Sequence, residues 1–154
     1  MATTPGEQPH LYLDDLAVGQ TFSSGEYTLD AEQIIAFARE FDPQPFHTDP
    51  EAAKASFFRG HAASGWHVMA ITMRLLVQSI PLADGIIGLG GDVSWPHPTR
   101  PGDRLHVDSD IMRITPSRSK PDRAVVQVRS RTINQDGQVV LNIVAKLMVL
   151  KKAA

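Results

Sequence analysis

The chain is predicted to fold as a single α+β domain, and three features of its sequence point there. Helical periodicity is confined to residues 30–79, and period-two alternation replaces it between residues 86 and 149. The helix that begins near Ser64 is apolar around most of its circumference and must be covered on several sides. A curved antiparallel sheet wrapped around it would do that. Such a sheet leaves free edges, which pairing with a second copy of the chain can cover.

Residues 20–29 suggest a first strand, with Phe22 and Tyr27 flanking the turn cluster Ser23-Ser24-Gly25. A helix follows from Asp30, which can cap it with Gln33 three residues on, and Ile34, Phe37, Ala38 and Phe41 form one apolar stripe. Pro43 and Pro45 restrict the residues before them, so residues 42–47 are expected as a stiff extended loop. A short helix then starts at Thr48 or Asp49, with Pro50 in its first turn and Ala52, Ala53 and Ala55 as strong helix formers. Phe58-Arg59-Gly60-His61 connects it to the apolar helix, which Ser64 caps and which runs to about Ser79. A strand around Ile86–Trp95 is weakened or bulged by Gly88, Gly90 and Gly91. Three long strands alternate through Leu105, Val107 and Ile111, then Val126, Val128, Ser130 and Thr132, then Val139, Leu141, Ile143, Ala145, Leu147 and Val149. Asn134-Gln135-Asp136-Gly137 turns between the last two, and Thr115–Arg123 is a longer polar loop between the first two.

At 154 residues there is room for one domain, and a 42% apolar fraction suffices for its core. Fifteen Lys and Arg against 17 Asp and Glu give a net charge of −2, which argues against a nucleic-acid binder that relies on broad positive charge. Cysteine is absent, so disulfides, thiolate metal sites and a cysteine nucleophile are excluded. The first ten residues read as a polar lead-in rather than a signal peptide, and the longest apolar run, Val68–Val77, is broken by Thr72 and Arg74, so a cytoplasmic protein without a membrane span is expected.

The segment Asp42-Pro43-Gln44-Pro45-Phe46-His47-Thr48-Asp49-Pro50 places a carboxylate and an imidazole five residues apart, with prolines limiting their drift. That is what positioned acid–base chemistry needs. The same residues also suit a helix end and a turn. Ser64-Gly65 opens the apolar helix, where backbone N–H groups at the positive helix end can stabilise an enolate-like oxyanion and glycine allows close approach of a carbonyl. An ordinary cap followed by a small residue fits there too. His10, His61, His67, His97 and His106 have no partner at metal-ligand spacing, and Trp66 and Met69 read as core or pocket wall.

In this order and spacing the motifs resemble the MaoC-like dehydratases, whose relatives include (R)-specific enoyl-CoA hydratases with the hot-dog fold. Phe37-Ala38 precedes the stretch from Phe41 to Asp49, Asp42 and His47 match the catalytic pair, Ala63-Ser64-Gly65 resembles the start of the central helix, and Arg100-Pro101-Gly102-Asp103 and Asn134–Gly137 resemble two turns. The resemblance spans residues 12–150 as one hot-dog domain, between a flexible lead-in of residues 1–11 and a tail of residues 151–154. Phe41, Gln44 and Ser64 replace the usual Gly, Asn and His, which alters pocket shape and hydrogen bonding while leaving the Asp–His pair intact.

The resemblance implies reversible hydration of a trans-2-enoyl thioester to a 3-hydroxyacyl thioester. Asp42 and His47 would hold the water and share the proton transfers, with their roles unassigned, and the amide of Gly65 or a neighbour would polarise the thioester carbonyl. No metal or redox cofactor is implied. Coenzyme A or an acyl-carrier pantetheine arrives as part of the substrate, and Arg118, Lys120 and Arg123, with Arg59 and Arg100, are candidates for its phosphates. A homodimer is the implied assembly. A thioesterase on the same fold and a non-catalytic acyl-binding protein are the alternatives. The latter would be indicated if Phe46 or Phe41 filled the space between Asp42 and His47.

Overall fold

The computed structural model describes residues 10–154, so the expected lead-in lies outside it except for its last two residues. Leu11 forms a parallel bridge to Leu82. The elements are a short 3-10 turn (Leu13–Asp15), β1 (Thr21–Ser23), β2 (Tyr27–Thr28), α1 (Ala31–Phe41), α2 (Pro45–Thr48), α3 (Pro50–Lys54), α4 (Gly65–Ser79), β3 (Ile87–Ser94), β4 (Arg104–Pro116), β5 (Arg123–Ile133) and β6 (Val139–Leu150). All strand pairings are antiparallel, in the order β1-β4-β5-β6-β3, with β2 also on β4.

The α1 capping box forms as its sequence predicts: Asp30 Oδ1 accepts from Gln33 N at 2.8 Å and Gln33 Oε1 accepts from Asp30 N at 2.9 Å. Asp49, rather than Thr48, caps α3, accepting from Glu51 N and Ala52 N. Two expectations are corrected. The expected first strand is two short ones, because Ser24 turns inward and its N–H bonds Val107 O while its hydroxyl accepts from Val107 N. The expected extended loop at 42–47 is half helix, since Pro45 sits at the first position of α2, where a missing N–H costs nothing.

One face of the sheet packs on α4. Leu105, Val107 and Ile111 of β4, Val126 and Val128 of β5, and Leu141 and Leu147 of β6 form one cluster with Val68, Ile71 and Leu75 of α4. Each fully buried side chain of this type contributes about 1.5–3 kcal/mol. Thr72, on the buried face of α4, is paired: its Oγ1 donates to Val68 O at 2.8 Å and contacts Thr132 Oγ1 at 2.6 Å. The helix is less enclosed than its composition predicts, with Trp66 and Val77 exposed. Among the described residues the β3 strand bonds β6 on one side only, and its register shifts between Gly88 and Gly90 as the glycines suggest.

Candidate active site

The end of α1 and the start of α2 bring Asp42 and His47 together, with Oδ2 of Asp42 3.2 Å from Nε2 of His47. His47 is buried, and its Nδ1 donates to Ala62 O at 2.7 Å. That bond fixes the proton on Nδ1 and leaves Nε2 as the exchangeable position facing the carboxylate. The surrounding backbone is pinned by three more bonds: His61 Nε2 donates to His47 O at 2.7 Å, Ala62 N to Phe46 O at 3.3 Å, and Ala63 N to Thr99 O at 2.9 Å. Burial opposes ionisation of Asp42, but the Gln44 amide, the Ser64 hydroxyl and His47 together outweigh it and hold the carboxyl below its ordinary range. Gln44 Nε2 donates to Asp42 Oδ1 at 2.6 Å, so the glutamine supplies the contact at this position.

The Ser64 side chain is buried and accepts from Trp66 N at 3.2 Å as the cap of α4. Gly65, the first residue of the helix, makes no backbone N–H bond to a protein acceptor among the described residues. An added Cβ at Gly65 would stand 2.8 Å from Trp95 Cε2, and the Trp95 indole donates to Gly65 O at 3.0 Å. Only glycine fits under that indole.

Asp42, His47 and Gly65 line one cavity of about 630 Å³, together with Phe46, Phe57, Trp66, Trp95, His97, Thr99 and Arg100. No phenyl ring separates the Asp–His pair. Phe41 is 65% exposed and packs on Phe37, and Phe46 lies edge-on to the His47 ring at 4.5 Å. Arg100 is tied down as a brace, its guanidinium donating to Phe58 O at 2.6 Å and His61 O at 3.2 Å. Asp103 accepts from Arg100 N, and Gly102 has φ +88°, so Arg100–Asp103 forms the tight turn that leads into β4. Within this chain Arg118, Lys120 and Arg123 are not in the cavity: they lie on and beside the β4–β5 loop, and Arg123 pairs with Asp122 at 3.0 Å. Arg59 is exposed on the connector with φ 55°.

Sequence reasoning missed Trp95, His97 and Thr99 as cavity walls. Their only local signal is their position just ahead of the Arg100–Asp103 turn. His67, in the first turn of α4, stacks on Phe37 at 4.4 Å and does not line the cavity. Among the described residues no three His, Asp or Glu side chains gather as metal ligands would.

The fold and site place the chain in a hot-dog class of proteins with an Asp–His pair beside a helix N-terminus. The MaoC like domain family matches residues 15–135, and the chain belongs to that family, which together with its solved neighbours supports a hydratase or dehydratase activity. It is 57% identical to the MaoC-like dehydratase from Rhodospirillum rubrum, with a TM-score of 0.93 over 94% of this chain and 99% of that one. An (R)-hydratase from A. caviae involved in PHA biosynthesis is 26% identical, with a TM-score of 0.69 over 88% of this chain and 97% of that one. An uncharacterized protein of Bacillus subtilis, YdeM, is 31% identical over 126 residues, which cover 80% of this chain and 87% of that protein.

Proposed function

We propose that this protein reversibly hydrates a trans-2-enoyl thioester of coenzyme A to the 3-hydroxyacyl thioester. The observation that carries the reading is the direct Asp42–His47 contact in a cavity that Gly65 also lines. Water is held between the pair and the β-carbon. The ionised Asp42 takes a proton from water as its oxygen bonds the β-carbon, and the displaced π electrons move onto the thioester oxygen. The Gly65 N–H, at the positive end of α4, donates to that oxygen; losing one such donor typically costs ~100-fold or more in rate. Nε2 of His47 delivers a proton to the α-carbon, and the proton gained by Asp42 then passes across the 3.2 Å contact to restore the pair. The net change is one water added, and no metal or redox cofactor enters it.

The working form we assign is a homodimer joined at β3. One edge of that strand is unpaired among the described residues, Ile87 and Leu89 are exposed on it, and an apolar cavity of about 340 Å³ lined by Met69, Met73, Leu76, Ile80 and Ile86 lies alongside. A polyanionic coenzyme A ester does not cross a lipid bilayer, so we place the reaction in the cytoplasm. Among the described residues no helix is long and apolar enough to cross a membrane.

The test is to incubate the protein with crotonyl-CoA and longer 2-enoyl-CoAs, following enoyl absorbance and free thiol in parallel. Enoyl loss without thiol release is expected. Thiol release points to a thioesterase, and binding of the esters with no turnover points to an acyl-binding protein.

A further inference from the structure

Aromatic residues make up only 6% of the chain, yet both tryptophans and three of its six phenylalanines line the cavity of Asp42 and His47. Core packing does not account for them. The buried core cluster is built of Leu, Ile, Val and Ala side chains, and Phe46, Phe57, Phe58, Trp66 and Trp95 are outside it. Phe57 is 93% exposed and Trp66 64%, so both present apolar area to water that their own packing does not use.

The rings form two walls, and each begins at a reacting group. Phe46 stands edge-on to the His47 imidazole at 4.5 Å, and the wall continues from it to Phe58 at 5.1 Å and on to Phe57 at 5.5 Å. The other wall begins at Gly65, whose carbonyl accepts from the Trp95 indole at 3.0 Å, and Trp66 meets Trp95 at 5.9 Å. Neighbouring rings are tilted by 57–85° and none is stacked on the next, so the walls offer both faces and edges. Those are the contacts that a flat π system prefers and that a saturated chain cannot make. With the thioester oxygen at Gly65 and the β-carbon at the Asp–His pair, the substituent on the β-carbon leaves the pair beside Phe46. A tail ending in a carboxylate finds no free counter-charge there. Arg100, the one Lys or Arg in the lining, gives its guanidinium to Phe58 O and His61 O.

We infer that the acyl group this site takes carries an aromatic ring, which packs on the wall of Phe46, Phe58 and Phe57 while the thioester carbonyl lies at Gly65. This deepens the hydratase reading and rests on it for the orientation of the substrate. The cavity, at about 630 Å³, has the size of a small-ligand site and accommodates such a group. The exposed rings share that cavity with Asp42 and His47, so the body that covers them in turnover is the substrate itself.

Saturated thioesters measure recognition without turnover. Calorimetric titration compares 5-phenylpentanoyl-CoA with 5-cyclohexylpentanoyl-CoA, which matches it in size without the π system, and with straight-chain nonanoyl-CoA. The phenyl ester is expected to bind at least ~5-fold more tightly than either, because only it makes ring-to-ring contacts. In Phe57→Leu/Phe58→Leu the preference for phenyl over cyclohexyl is expected to shrink to about 2-fold or less. Phe57→Leu alone, at an exposed position, reads the same preference in the same direction if the double variant does not fold. A cyclohexyl ester that binds as tightly as the phenyl ester overturns the proposal, as does a preference that both variants leave unchanged or failure to bind any of the three esters. Turnover is read separately with trans-5-phenylpent-2-enoyl-CoA and trans-2-nonenoyl-CoA. A higher kcat/KM for the phenyl substrate supports the proposal, and one no higher than that of the straight chain overturns it. If wild type hydrates no enoyl ester, the hydratase reading falls, while the affinity ratio of the saturated esters still decides this one.

Discussion

Asp42→Asn separates catalysis from folding. Asn matches the shape of Asp, so its Oδ1 can keep the Gln44 Nε2 contact, 2.6 Å in the wild type. Its Nδ2 then stands where Oδ2 was, 3.2 Å from His47 Nε2. Because Nδ1 of His47 gives its proton to Ala62 O, neutral Nε2 presents a lone pair that the new amide can satisfy. A charge-assisted contact is therefore exchanged for a neutral one, at about 1 kcal/mol of stability or less. The chemistry fares worse on the proposed mechanism, because the carboxylate assigned there to take the proton from water is gone. Loss of a positioned general base costs ~10²–10⁴-fold, or about 2.7–5.5 kcal/mol in the barrier. The assay is initial-rate hydration of crotonyl-CoA by enoyl absorbance, with thermal denaturation of the same samples. The expected result is kcat down by at least ~100-fold, KM within about 3-fold, and a melting temperature lowered by only a few degrees. A folded variant whose kcat stays within about 3-fold of wild type would refute the assignment of Asp42 as the base.

Gly65→Ala puts a methyl 2.8 Å from Trp95 Cε2. The half-exposed indole must swing away, so kcat/KM is expected to fall at least ~10-fold, with altered tryptophan fluorescence and stability within about 1 kcal/mol of wild type. Thr99→Val and Thr132→Val form a contrasting pair under denaturant unfolding. Thr99 is 2% exposed and its hydroxyl has no partner among the described residues, so its loss should leave stability unchanged or raised. Thr132 Oγ1 contacts Thr72 Oγ1 at 2.6 Å, so its loss should cost about 1 kcal/mol. An equal cost at both sites would contradict the hydrogen-bond assignment. His67 is buried against Phe37, and burial holds its imidazole below the ordinary 6.5. The unfolded chain then binds the proton first, so stability is full above pH 6.5 and declines as pH falls below it. His67→Phe keeps the stack, and melting temperatures measured from about pH 8 to about pH 5.5 should lose that slope.

Local physics made much of the protein legible from sequence. The Asp30–Gln33 box and the Ser64 cap are read within four residues, because the groups that satisfy a helix start are its own neighbours. The long strands follow from alternation alone, and Asn134 to Gly137 forms its turn because Asn134 Oδ1 accepts from Asp136 N and Gln138 N while Gly137 takes φ +75°. The five-residue spacing of Asp42 and His47 also survives into the structure as direct contact.

What sequence could not supply is whatever depends on partners distant along the chain. Whether Asp42 and His47 meet or drift is set by Ala62, His61 and Thr99, which arrive from separate segments to fix the imidazole and its backbone. Arg100 looked like a phosphate ligand by charge, but the carbonyls of Phe58 and His61 use its guanidinium as a brace. Arg118, Lys120 and Arg123 are phosphate candidates by charge alone, and β4 carries their loop to the end of the sheet away from the cavity. Sequence determined which groups are present and how each local segment folds, since those energies act between near neighbours. Tertiary structure alone decided which groups share a cavity and which tautomer His47 adopts, because a carbonyl fifteen residues away sets the proton's position.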